Sequence, residues 1–239
     1  YILRLIPMGD DNPYTASEPV IVHFSPDETV VQDLVYTSPM LKGNILSPDG
    51  KSLGGNVAGI EVELRSVEEP YKVENKTVVN KDGSYSIGGV PSGTYILKAI
   101  NYDIFKSPYC DSMETKIILD EKGIITKDIK LSNPQIYAQI FNTDGSILTS
   151  EKNYYFDFSL KSVDGKFEKS LCQTEGKFHL GGFPEGDYYM EAKSHNTDYI
   201  KSEIILHLNP DKPIYVDSYL RDTRTKVTGT IKTSFNEYG

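Results

Sequence analysis

Tryptophan is absent from this chain of 239 residues, and cysteine and histidine are scarce, with two and four copies. Each shortage closes a class of function. Cys110 and Cys172 occupy unrelated places, whereas a disulfide framework repeats its pairs in every domain; they read as unpaired thiols or a single bridge between repeats. His23, His179, His195 and His207 have no partner at i+2 or i+4 and no nearby cysteine, so no zinc site converges. There is no H-x-x-E or HExxH segment for zinc peptidase chemistry, and no G-x-S-x-G elbow for a serine nucleophile. Lys and Arg number 25 against 34 Asp and Glu, a net charge of −9 that argues against a nucleic-acid partner. Long apolar runs are missing too; EIILHL is strand-sized, and no segment here spans a membrane. The DG turns SPDGKS, NKDGSY and NTDGSI offer one carboxylate each, short of the six or more oxygens calcium takes. GDDNPY, with Asp10, Asp11 and Asn12, is richer but reads equally as a polar loop. No catalytic residue, cofactor or metal is expected.

What the chain does have is an internal echo. YILRLIP at the start matches YILKAIN (95–101), and VVQDLVYTS (30–38) matches IITKDIKLS (124–132). YYMEAKS (188–194) and PIYVDSYL (213–220) form a third copy. Tyr1, Tyr95 and Tyr188 are spaced by 94 and 93 residues, and Gly43, Ala138 and Gly229 by 95 and 91. Self-similarity at a fixed period marks a tandem array. The expected organisation is residues 1–38 as the last three strands of a preceding sandwich, 40–132 as complete repeat A, 135–222 as complete repeat B, and 225–239 as the first strand of a following one. The chain thus reads as a window from a longer polypeptide. Residues 40–222 are expected to fold as an all-β pair, and residues 1–38 not to fold alone.

Alternation and turn chemistry give the elements. Repeat A parses into strands at 41–46, 60–67, 75–79, 84–90, 94–101, 114–119 and 126–131, and repeat B at 136–141, 155–162, 169–173, 177–181, 187–194, 203–208 and 214–220. Ile60, Val62 and Leu64 alternate with Glu61, Glu63 and Arg65, and Phe156, Phe158 and Leu160 take the same places in repeat B. Seven short strands with turns every eight to twelve residues predict an all-β chain of tandem seven-stranded Ig-like sandwiches with almost no helix. The linkers between copies are a few residues long and two contain proline, which favours a semi-rigid arrangement.

The stretch DGSYSIGGVPSGTY (82–95), echoed by EGKFHLGGFPEGDY (175–188), resembles the carboxypeptidase regulatory-like family of transthyretin-like (prealbumin-like) sandwiches. Gly43 in the first strand and the Asp49-Gly50 turn fit that pattern; repeat B departs from it at Ala138 and Glu175. The motif residues Gly83, Pro91, Gly93, Tyr95, Gly176, Pro184, Gly186 and Tyr188 all read as structural: turns, plus a buried ring whose hydroxyl finds a backbone partner. Two related arrays are similar. Bacterial collagen-adhesin B-type domains often carry an isopeptide bond, whose acid in those domains sits six residues after the G of G-x-Y. Ala99 and Ala192 occupy that place here, and Glu191 is one residue early and faces the other way. Nodal-modulator-type lumenal arrays share the repeat length, and Asn75-Lys76-Thr77 would be a glycosylation acceptor in such a setting.

The resemblance implies a non-enzymatic spacer or scaffold, at the cell surface or in a secretory lumen, with neighbouring repeats of the same chain as partners. The alternative is an adhesin-like module binding a carbohydrate or protein through loop tyrosines, chosen from Tyr14, Tyr71, Tyr102, Tyr109, Tyr154 and Tyr199.

Overall fold

The computed structural model describes residues 1–7, 14–67, 74–103, 106–120, 123–142, 144–149, 155–173, 175–194, 199–200, 202–219 and 221–222. Every regular element among them is a β-strand, so the all-β class read from the sequence holds. The chain forms two compact units. One comprises Tyr1–Tyr137, Phe178–Glu185 and Leu208–Tyr215; the other comprises Ala138–Lys177, Gly186–His207 and Val216–Gly239. The division runs across repeat B rather than between the repeats.

The first unit begins with two short antiparallel strands, β1 (Ile2–Leu3) and β2 (Val20–Ile21), followed by a bridge between Thr15 and Thr37. Repeat A then supplies β3 (Leu41–Leu46), β4 (Ile60–Ser66), β5 (Glu74–Val78), β6 (Ser84–Ile87), β7 (Gly93–Asn101), β8 (Cys110–Ser112), β9 (Thr115–Leu119), β10 (Ile125–Thr126) and β11 (Ile129–Ser132). One sheet has the order β5-β4-β7-β9, antiparallel throughout. In the other, β3 pairs with β6 on one edge and runs parallel to β10 and then β11 on the other, with β8 beyond β11.

Period-two patterning puts one row of each strand inside. Leu41 and Ile45 meet Val62, Leu64, Tyr85, Tyr95, Leu97 and Leu131 in one apolar cluster. The outward row of β4 is charged: Glu63 pairs with Lys76 of β5 at 3.1 Å, and Arg65 with Glu114, just before β9, at 3.0 Å.

Two features of repeat A depart from the sequence reading. β8 was not foreseen: Ser107-Pro108 signals a loop, and Cys110, Asp111 and Ser112 are all buried, so no alternation betrays a strand. Their side chains satisfy the end of β7 instead. Ser112 Oγ accepts from Ala99 N at 2.8 Å and Asp111 Oδ1 from Asn101 N at 3.1 Å. The last strand, expected as one piece, is split into β10 and β11 at Lys127-Asp128.

Repeat B supplies β12 (Ile136–Phe141), β13 (Phe156–Ser162), β14 (Glu168–Gln173), β15 (Lys177–Leu180), β16 (Gly186–Ser194), β17 (Tyr199–Ile200), β18 (Ser202–Leu208), β19 (Ile214–Tyr219) and β20 (Arg221–Asp222). Its sheets have the orders β15-β12-β19 and β14-β13-β16-β18, with β17 and β20 paired separately. In the second unit β13 lies antiparallel to β14 and β16, and Phe156, Phe158 and Leu160 are buried as their alternation predicted. The expected following strand at 225–233 lies outside the described residues.

Candidate functional site

The motif residues take up different places in the fold. Gly83 adopts φ +90° in the turn before β6, where Asp82 Oδ1 accepts from Ser84 N at 2.9 Å. Gly176 was expected to be a turn glycine of the same kind, but its backbone is not left-handed. It is needed because a Cβ would come within 2.6 Å of Ile140 O. Gly93 has room for a Cβ, 3.5 Å from the Tyr95 ring, whereas Gly186, at φ +153°, holds a backbone that residues with a side chain rarely adopt. Tyr95 is buried and donates its hydroxyl to Pro91 O at 2.6 Å; Tyr188 is likewise buried, and Pro184 lies in the loop before it. Asn75, the sequon residue, is buried, and its Nδ2 donates to Gly88 O at 3.0 Å, so the acceptor nitrogen faces the protein.

Sequence reasoning passed over the glycine pair inside each motif copy. Gly88 and Gly89 lie against the segment that precedes repeat A: a Cβ on Gly88 would overlap Thr15 Oγ1 and come within 2.6 Å of Ser38 O, and one on Gly89 would overlap Ala16 O. Gly181 and Gly182 lie against repeat A, within the first unit. A Cβ on Gly181 would overlap Asn133 O and come within 3.0 Å of Cys110 Cβ, and one on Gly182 would come within 2.5 Å of Asp111 O and 2.8 Å of Ser112 O. Thr15, Ala16, Ser17 and Ser38 become Cys110, Asp111, Ser112 and Asn133 on adding 95 residues. The two junctions therefore use the same positions. Ser38 corresponds to Asn133 rather than to Ser132, one residue off the alignment drawn from side-chain likeness alone. The repetition could have been found in the sequence from the GG dipeptides, but their contacts join residues about 50 to 75 apart.

Polar groups hold each glycine loop. Arg4 Nη2 donates to Gly89 O at 2.8 Å while its Nε donates to Ser17 O at 3.0 Å. At the other junction the Gln135 amide makes two bonds to Phe183: Nε2 donates to its O, and Oε1 accepts from its N, both at 2.9 Å.

Away from the junctions, a 660 Å³ cavity opens among the loops of repeat A, lined in part by Asp49, Lys51, Asp103, Lys106 and Tyr109. Asp49 is held at about 2 by hydrogen bonds from Lys51 and Ser47. Of the tyrosines considered for binding, Tyr109 packs against the core cluster, Tyr102 is exposed, and Tyr14 stacks on Tyr36 with centroids 5.8 Å apart. Tyr71 and Tyr154 lie outside the described residues, and Tyr199 is described only as part of β17. His207 pairs with Asp187 at 2.8 Å and His179 is half-buried beside Tyr137, while His195 lies outside the described residues. Among the described residues no three His, Cys, Asp or Glu stand close enough to hold a metal. Neither cysteine is in a disulfide; Cys110 is buried and Cys172 exposed. Ala99 and Ala192 are buried on the inward faces of β7 and β16. No helix among the described residues is long and apolar enough to cross a membrane.

No protein-family model matches the chain, and no curated protein matches it in sequence. Among solved structures it is similar to the Bacillus anthracis TIE protein, at 18% identity and a TM-score of 0.31 over 79% of this chain and 35% of that one. This chain thus spans about a third of that protein. A minor pilin of Streptococcus agalactiae matches with a TM-score of 0.31 at 13% identity, over 80% of this chain and 99% of that one. A DUF3823 family protein from Bacteroides ovatus matches with a TM-score of 0.31 at 17% identity, over 71% and 98%.

Proposed function

We propose that the chain is a non-enzymatic spacer or scaffold, a run of β-sandwich repeats belonging to a longer protein of the cell surface or secretory lumen. The observation that carries this reading is the recurrence of one set of junction contacts, between glycines 93 residues apart and preceding segments 95 residues apart. Repeats that dock on their neighbours in the same way build length without needing a site of their own. Tyr95, Pro91 and Gly83, the residues that stand out in the sequence, are used in turns and core.

A spacer is replaceable. Exchanging residues 40–222 in the host protein for an unrelated pair of β-sandwiches of similar length should leave the host's function intact. Loss of function with the exchanged pair correctly folded would overturn the reading.

A second reading is favoured by the cavity at Tyr109, whose mixture of an aromatic ring, carboxylates and ammonium groups suits a carbohydrate. Retention of a glycan on an array, lost with Tyr109→Ala, would establish it.

A further inference from the structure

We infer that the glycine pair at the head of each repeat is a docking receptor for the tail of the repeat before it, and that Gly88 and Gly181 are the residues that keep it open. This deepens the spacer reading by naming what joins the repeats. Gly89 and Gly182 have left-handed backbones, φ +63° and +83°, so each is needed by its own turn as well as by its surroundings. Gly88 and Gly181 do not. Their backbones suit any residue, and a Cβ on either would strike atoms of the preceding segment: Thr15 Oγ1 and Ser38 O in one case, Asn133 O and Cys110 Cβ in the other. What these two glycines provide is space for another repeat's backbone.

The tail that fills the space is equally specific. At the second junction it is the buried strand β8 together with Asn133, and at the first it is Thr15–Ser17 with Ser38, whose Thr15–Thr37 bridge matches the Cys110–Ser132 pairing. Head and tail are different surfaces, so the contact is heterologous and propagates in one direction along the chain. The clasp around it varies. Arg4 reaches across the first junction to the carbonyls of the glycine loop, whereas its sequence counterpart Lys98 lies 3.7 Å from Asp111, and Gln135 holds the second loop from its own repeat. Backbone shape is shared where side-chain chemistry differs, as expected if glycine sets the fit.

Cys110 provides the readout. It is buried yet lies outside the apolar cluster of repeat A, and Gly181 is packed on it. In the full chain carrying Cys172→Ser, Cys110 should react slowly with an aromatic disulfide reagent under native conditions. Adding Gly181→Ala should raise that rate about tenfold or more, because a methyl forced into a filled contact opens it. Gly55→Ala, which has open space, and Gly88→Ala, at the other junction, should leave the rate unchanged. The mirror experiment puts the thiol at the equivalent place, Thr15→Cys with both native cysteines replaced by serine, and Gly88→Ala should then expose it.

An unchanged Cys110 rate in Gly181→Ala, or an equal rise in Gly88→Ala, would overturn the docking assignment. If both alanine variants lost their cooperative unfolding transition, the glycines would belong to the repeat cores and the assignment would fail as well. None of these outcomes bears on whether the segment is replaceable in its host, so the spacer reading stands or falls separately.

Discussion

In repeat A the strand running parallel to β3 breaks at Lys127-Asp128, whereas its counterpart in repeat B, β19, continues from Ile214 to Tyr219. Matching backbone bonds fix the correspondence: Ile125 N donates to Met40 O at 2.8 Å, and Ile214 N to Gln135 O at 2.9 Å. Lys127 then corresponds to Val216. Val216 is buried, while the Lys127 side chain is exposed and its carbonyl accepts the Tyr85 hydroxyl at 2.5 Å. That carbonyl lies where a Cβ on residue 43 would be. Repeat A therefore has Gly43, Tyr85 and an inward carbonyl; repeat B has Ala138, Phe178 and an inward valine. A phenol placed in a core needs an acceptor, the acceptor here is backbone, and backbone turned inward needs a glycine opposite it. The three positions differ together because one hydrogen bond ties them.

The strongest way to break this comparison is Gly43→Ala. The added methyl would overlap Lys127 O and lie 3.0 Å from Tyr85 Cε1, so the strand must move and the hydroxyl loses its partner. We expect a loss of about 2–4 kcal/mol in urea unfolding of the full chain. The reverse change, Ala138→Gly, should cost only about 1 kcal/mol, the usual penalty for glycine in a strand. Equal costs would mean that the two repeats are built alike after all.

Tyr85→Phe should cost less, about 1–2 kcal/mol, through the lost hydrogen bond and the carbonyl left behind. Combined with Gly43→Ala, the two losses should sum to more than the double variant shows, since both break the same contact. Strict additivity would uncouple them.

The same phenol gives repeat A an alkaline weakness. Burial, and then the nearby Asp128 charge, raise the Tyr85 pKa above the tyrosine range. A pKa raised on folding means a contribution that is complete below the unfolded value of about 10 and drains away as pH climbs beyond it. The unfolding midpoint should fall more steeply between pH 9 and 11.5 in the parent than in Tyr85→Phe. Some slope should persist in the variant, because burial also raises Tyr188.

The strands on either side of this difference were legible from alternation. β4 and β13 carry their apolar residues at every second place, and nothing in their surroundings competes with that signal. What was not legible depends on partners distant in sequence. The break at Lys127 is imposed by Tyr85, 42 residues away, and ITKDIKLS reads as an ordinary strand without it. β8 is a strand through its pairing with the distant β11, and its buried Asp111 and Ser112 accept amides of β7. The glycine pairs stood inside the most prominent motif, yet a motif of turns masks glycines kept for space. Gly93 shows the converse, a motif glycine that neither its backbone nor its neighbours require.

The finest test concerns how the break is mended. Where β10 gives way to β11, Asn44 N loses a ladder carbonyl and donates instead to Asp128 Oδ1 at 2.8 Å, with Asn44 Nδ2 adding a second bond at 3.2 Å. This pair is exposed, so water can replace the carboxylate, and Asp128→Ala should cost about 0.5–1 kcal/mol. Asp217, the corresponding residue of the unbroken β19, mends nothing, and Asp217→Ala should stay within about 0.5 kcal/mol. Asp128→Asn separates bond from charge: its Oδ1 can still accept from Asn44, so stability near pH 7 should hold. The charge that raises the Tyr85 pKa would be gone, and the alkaline slope should become shallower. If Asp128→Asn were as destabilising as Asp128→Ala at neutral pH, the carboxylate would be acting through its charge rather than as a substitute for the missing ladder carbonyl.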